Sequence, residues 1–409
     1  MTTVLECPVV ITGLGLISGT LCGVEPLRQA LFSGRMPLTA INCSAGYHLP
    51  ESSRFAVLTD GVDFSQWIAP IAGRRMSAPS KFAVAAAKMA LADASLTDCS
   101  GTGTAIVVSN ALGAGDVTEK LLRTAMIEGP EAVSPFSFAE SVSNAPAAQV
   151  AIACQARGPN ITVVQREAGI LTAVGRGAAE IASGRAATAL VGGVEEMPPI
   201  IHAFLDRLGA LARPGHYGGE IARPFDHRRS GFIAAEGAVI LVLESEARAR
   251  SRNAPVRARL RGFGSAFDPS ASRVGWGTGH ASLAVGLRRM IDRAQLRTAD
   301  IGRIVSGASG AIAGDCLEAC TLLAAWQDAA LPPMLAPKGV TGQYGGGFLG
   351  AAVLSVGDTG FGPTAGFAAL DPALGVTPHG GGPLPDADFT LVTSLASGGA
   401  ASWLILEKP

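Results

Sequence analysis

Continuous apolar runs alternate along this chain with stretches whose apolar residues recur every three or four positions, and that alternation restricts the fold more than any other feature. Residues 239–243 (VILVL) are apolar at every position, so a strand there needs cover on both faces, as strands of an α/β fold receive from flanking helices. Residues 9–14, 104–109 and 187–192 read the same way. Between them, Val24, Leu27 and Leu31 recur at helical spacing, with Pro26 tolerated in a first turn. Phe82, Ala85, Ala86 and Met89 form one face of a helix that Ser80 is expected to cap. A polar link at 251–255 (SRNAP) then precedes a second opening, 256–264 (VRARLRGFG), which echoes VVITGLG near the start. The closing SGGAASWLILE echoes AEGAVILVLE. Matching echoes point to an internal duplication, with halves at 1–250 and 256–409.

Composition narrows the function classes. The 409 residues are 48% hydrophobic and only 16% charged, which suits a large α/β core and equally a surface covered by a partner subunit. A net charge of −1 argues against nucleic acid or an anionic membrane as partner. No apolar run reaches the roughly 18 residues that a membrane span needs. The N-terminal stretch lacks a basic region, so VVITGLG reads as a buried strand entering a glycine turn rather than as a signal peptide. GLGLISG fails the spacing of a phosphate-binding loop and is expected to be a structural turn. The seven cysteines show no CxxC spacing. Cys316 and Cys320 lie one helical turn apart without nearby histidines, so neither a metal nor a cofactor is expected, and a reduced, cytoplasmic protein is.

Residues 158–186 carry the most chemistry. A β-branched strand at 161–164 leads through Gly169 into a helix begun by Leu171, Val174 and Ala178. Such an elbow sets one side chain at a helix N-terminus, where enzymes hold nucleophiles and oxyanions. Here that side chain is Glu167, beside Arg166.

The segment resembles the nucleophile elbow of the β-ketoacyl synthases, N-x-T-V-S-T-A-C-A-S-G, matching at Asn160, Thr162 and Val163, with Glu167 in the place of the acyl-carrying cysteine. SPFSFAESVSNAPAAQVAI (134–152) and RPFDHRRSGFIAAEGAVILVLE (223–244) resemble further stretches of that family, and the second is highly specific. The resemblance implies a thiolase-like five-layered αβαβα fold of two duplicated halves and a dimeric unit. It also implies where the family's chemistry belongs. Counting back from Asp315, with Glu318 confirming the register, the first histidine position falls on Gly307 in IVSGASGAIAGD. The second falls on Gln343 in KGVTGQ, which keeps the family's Lys338, and the gating loop is ASGG (396–399) without its phenylalanine.

None of the substitutes can stand in. An acyl-glutamate is a mixed anhydride, not a durable carrier for carbon–carbon bond formation, and beside Arg166 the Glu167 carboxylate is expected to stay ionised. Gln343 cannot shuttle a proton near neutral pH, and Gly307 has no side chain. His48, His202, His216, His227, His280 and His379 all lie outside these motifs and are expected on surfaces or loops. Lys338 is free to pair with Glu167 across the dead site.

A ketosynthase-like chain without its nucleophile and histidines is similar to the chain length factors of type II polyketide synthases. That similarity implies a heterodimer with an active ketosynthase, a shared acyl tunnel and an acyl carrier protein delivering phosphopantetheine-linked chains. Aromatic-polyketide members usually carry Gln at the elbow, so Glu167 and Gln165 depart from them, and SVSNAPAAQ resembles the polyene and aryl polyene members instead. Carried through the same alignment, tunnel-floor positions fall on Leu112 and Ser137, and a helix at 115–123 is expected to line the tunnel with Asp116 and Glu119. Three alternatives stay open: a malonyl-carrier-protein decarboxylase that supplies primers, the chain length factor of an aromatic polyketide system, and a homodimeric acyl-binding protein.

Overall fold

The computed structural model describes residues 7–214, 218–327 and 329–409. Its main strands are β1 (Val9–Ser18), β2 (Thr104–Ser109), β3 (Asn160–Val163), β4 (Thr188–Glu195), β5 (Gly237–Ser245), β6 (Ala258–Phe267), β7 (Arg303–Val305), β8 (Met334–Leu335), β9 (Phe389–Leu395) and β10 (Ala400–Glu407). They hydrogen-bond in the order β8-β7-β9-β10-β6-β1-β5-β4-β2-β3. From either outer edge the order within a half is third, second, fourth, fifth, first. Directions repeat as well. β2 is parallel to β3 and β4, and β5 is antiparallel to β4 and β1. β7 is parallel to β8 and β9, and β10 is antiparallel to β9 and β6. The two halves therefore share one topology and join where β1 pairs with β6, Val9 opposite Leu260, Val10 opposite Arg259 and Ile11 opposite Ala258.

Helices complete the layers: α1 (Val24–Ser33), α2 (Ala78–Asp93), α3 (Gly115–Ile127), α4 (Pro135–Ser141), α5 (Ala145–Cys154), α6 (Gly169–Ala182), α7 (Pro199–Arg207), α8 (His280–Arg293), α9 (Ile312–Trp326), α10 (Lys338–Thr341) and α11 (Gly347–Gly357). α6 and α11 form the middle layer, where Leu171, Val174, Phe348 and Val353 pack with Val107, Leu241, Val392 and Leu404 from strands of both halves. α2 and α5 cover the outside of the first half, and α8 and α9 cover the second. Neighbouring strand residues enter different cores: Leu241 joins the middle layer while Ile240 and Val242 face α2. The unbroken apolar run follows from this, since each such side chain gains about 1.5–3 kcal/mol from burial on its own face.

Two local expectations change. Gly13 and Gly15 lie inside β1, not in a turn, because a Cβ at either would collide with the backbone of α2 at Ala90 and Ala86. The turn comes at Gly19, where φ is +56°. The helix cap moves from Ser80 to Ser77, whose hydroxyl accepts from the Ser80 N–H at 3.4 Å, with Pro79 accommodated in the first turn. Among the described residues, no helix is long and apolar enough to cross a membrane.

Candidate functional site

The elbow starts from β3, at the edge of the ordered strands. After it the chain turns sharply: Arg166 takes φ +47°, a left-handed conformation uncommon outside glycine, and Arg166–Ala168 form a short helical turn leading into α6. That conformation carries the Arg166 guanidinium to the C-terminal loop, where Nη1 donates to Ser397 Oγ at 3.0 Å. The loop is tied to the elbow a second time, since Ser394 Oγ donates to the Glu167 carbonyl oxygen at 2.6 Å.

Glu167 itself is enclosed. Ser397 Oγ donates to its Oε1 at 3.5 Å, while Oε2 is buried without a hydrogen-bond partner. Burial raises its pKa, outweighing its own backbone N–H, Lys338 and Arg166, a shift opposite to the one expected from Arg166 alone. Lys338 is also buried, and burial pulls its ammonium down to about 8 against the nearby Glu167, Glu318 and Asp315. It closes no ion pair with Glu167 among the described residues; the ammonium lies 4.8 Å from the centre of the Phe348 ring.

Position 307 is held from below. The Asp315 carboxylate, pushed up to about 7 by burial, accepts from the backbone N–H groups of Phe225 (2.8 Å), Ser309 (3.1 Å) and Gly310. Glu318 accepts from the hydroxyls of Ser306 and Thr393. These bonds tie the RPFD segment to the loop through Gly307. A Cβ added there would lie 2.8 Å from the Thr393 carbonyl oxygen and 3.1 Å from Ser394 Cα. The position thus lacks room for any side chain. At Gln343 the backbone bridges Ile233 and Ala235, while side-chain Oε1 is buried and unpaired. An unpaired buried acceptor costs about 1–3 kcal/mol, so this site is not arranged around its own polar groups.

Glu167 and Gln343 line one cavity of about 600 Å³. Leu112 lines it too, whereas Ser137, Asp116 and Glu119 do not. Ser137 sits on α4 between the exposed Phe136 and Phe138. Asp116 pairs with Lys120 at 2.7 Å, and Glu119 is engaged by Tyr47 and Arg123. No histidine among the described residues lines the cavity, and His216 lies outside those residues. His202 departs from the surface expectation: it is buried on α7, shares a hydrogen bond of 3.0 Å with His48, and is pulled down to about 4 by burial. Cys316 and Cys320 are partly buried on α9, and no cluster of metal-ligand side chains occurs among the described residues.

Sequence reasoning missed Glu195 and Glu196. Glu195 ends β4 inside the cavity and accepts from the backbone of Ala111 (2.5 Å) and Leu112 (3.0 Å), with burial pushing it up to about 8. Glu196, pushed up to about 7 by burial, accepts from the Asp116 N–H at 2.8 Å and so anchors the start of α3. The available signal was an acidic pair directly after a fully buried strand, in GGVEE.

The β-ketoacyl synthase N-terminal domain profile matches residues 6–249. The 3-oxoacyl-[acyl-carrier-protein] synthase 2 of Vibrio cholerae is 27% identical over 419 residues, covering 98% of this chain and 99% of that one. The tetracenomycin polyketide synthase ketoacyl synthase beta subunit of Streptomyces glaucescens is 30% identical, with 98% of each chain covered. Among solved structures, the ishigamide ketosynthase/chain length factor superposes with a TM-score of 0.88 at 28% identity, over 98% of this chain and 99% of that one. With the duplicated topology and the elbow in register, these matches show that the chain belongs to the β-ketoacyl synthase family.

Proposed function

We propose that this chain is the non-catalytic chain length factor of a type II polyketide synthase, working in the cytoplasm beside an active ketosynthase and serving a polyene product. The observation that carries the reading is Gly307: the family's first histidine position is closed to any side chain, while its supporting frame of Asp315, Glu318 and Lys338 is intact. A frame kept without its chemistry fits a subunit whose shape is what matters.

The partner surface follows from exposure. β3 leaves one edge unpaired, and near it Met126 and Ile127 of α3, Phe136 and Phe138 of α4, Ile152 of α5 and Val164 stand exposed. An open edge strand among exposed apolar side chains is poorly suited to water and well suited to a subunit interface. Leu112 and Ser137 lie beside this surface, which favours an acyl tunnel that crosses between subunits, fed by an acyl carrier protein. Co-expression with a ketosynthase bearing an intact Cys-His-His set tests the reading. It expects a stable heterodimer that extends malonyl units, and a chain that alone releases no carbon dioxide from malonyl carrier protein. Decarboxylation by the isolated chain makes it a primer-supplying enzyme instead.

A further inference from the structure

The cavity lined by Glu167 and Gln343 is neither filled nor collapsed, although nothing in the proposed role needs it open. Its volume of about 600 Å³ falls in the range of small-molecule sites. Phe204, Phe232 and Trp276 supply apolar walls. Two side chains of the lining, Glu167 and Gln343, each carry a buried oxygen without a partner. By contrast, Glu195 in the same wall is engaged by backbone N–H groups, and Arg166 already donates to Ser397. The unmet demand is therefore for hydrogen-bond donors, at one end of an apolar chamber. The terminal torsions of Glu and Gln are soft, so a small rotation turns either oxygen toward the chamber.

Charge selects among donors. A carboxylate ligand brings only acceptors and leaves both unpaired oxygens unmet, and an ammonium would share the space with Arg166 at the wall and Lys338 behind it. A neutral donor avoids both. A primary carboxamide is neutral and brings two N–H groups, one for each unpaired oxygen. We infer that this cavity is a binding site for a neutral primary carboxamide on an apolar chain, its amide bonded to Glu167 and Gln343 and its chain packed against Phe204, Phe232 and Trp276. The inference holds whichever partner the chain takes.

Octanamide, octanoate and octylamine serve as probes, titrated calorimetrically into the full-length chain copurified with its ketosynthase, with Trp276 fluorescence as a local readout. Octanamide should bind at one saturable site per chain and shift that fluorescence, and the acid and the amine should bind at least tenfold more weakly. Gln343→Leu and Glu167→Leu should each weaken octanamide at least fivefold while leaving the thermal midpoint unchanged or higher, because each removes an unpaired buried acceptor. Leu208→Trp, which fills the chamber from its wall without touching either acceptor, should abolish binding in a folded complex. No saturable binding at millimolar octanamide overturns the inference. So does binding that persists unchanged through all three substitutions, which would place it in the ketosynthase, and so does a preference for octanoate.

Discussion

Placing a histidine at position 307 is the most direct trial of the claim that Gly307 closes the site. Its φ lies outside the left-handed region, so backbone strain plays no part and only space is at issue. In Gly307→Ala the new Cβ meets the Thr393 oxygen at 2.8 Å and Ser394 Cα at 3.1 Å, both backbone atoms of β9. β9 is fixed between β7 and β10, and Glu318 holds the Thr393 hydroxyl, so the strand cannot yield cheaply. Overpacking of this kind costs about 1–3 kcal/mol for the methyl alone, and Gly307→His must cost more, since its ring needs the same space. Thermal unfolding of the copurified complex should show a lower midpoint for Gly307→Ala and a lower one still, or failure to assemble, for Gly307→His. The triple change Glu167→Cys, Gly307→His and Gln343→His should not create a second condensing site. A Gly307→His complex as stable as the parent would refute the steric argument, and new activity from the triple variant would refute the idea that the site is closed.

On the proposed non-catalytic role, Glu167→Gln in the complex should leave product formation largely intact; a loss of several orders of magnitude with the heterodimer still formed would assign it a chemical role. Ser137→Phe should shorten the polyketide by some carbons without lowering heterodimer yield, read by mass spectrometry, and products of unchanged length would move the measuring surface elsewhere. Met126→Glu, a charge in the middle of the exposed apolar surface, should prevent copurification with the ketosynthase. Glu195 is pushed up to about 8, so the folded state holds its proton after the unfolded chain, at an ordinary value of 4.5, has released it; stability should fall as pH rises from about 5 to 8. Glu196 and Asp315, raised to about 7, add to the same fall, so urea midpoints across that interval should show it and Glu195→Gln should reduce its slope; an unchanged slope would remove Glu195 as a contributor.

Strands were legible because their neighbours in sequence belong to different cores, which forces runs such as 239–243 to be apolar throughout. The loop through Gly307 could be placed relative to Asp315 and Glu318 because their carboxylates accept hydrogen bonds from that loop and from the RPFD segment, which sets the spacing of these stretches. What stayed hidden depends on packing between distant segments. Gly13 and Gly15 look like turn residues until α2 is laid against β1. The upward shift of the Glu167 pKa stayed hidden because its neighbour Arg166 is visible in sequence and its burial is not. His202 became a core residue only through α7 folding onto the segment around His48. Lys338 lies over Phe348, ten residues on, a contact made by the turn between α10 and α11 and invisible to any periodicity.

The seam between the halves has a mechanical side. Strand pairing across it is brief, three residue pairs between β1 and β6, and the rest of the joint is packing of the middle layer together with hydrogen bonds between loops, such as those from Arg166 to Ser397 and from the Phe225 N–H to Asp315. The cavity straddles that seam, with Leu112, Glu167 and Glu195 on one bank and Trp276, Gln343 and Ser397 on the other. A molecule bridging the banks acts as a removable crosslink. It stabilises the whole chain by its own binding energy and damps the sliding of one half past the other. Hydrogen exchange along β1 and β6 would register that damping far from any atom the molecule touches.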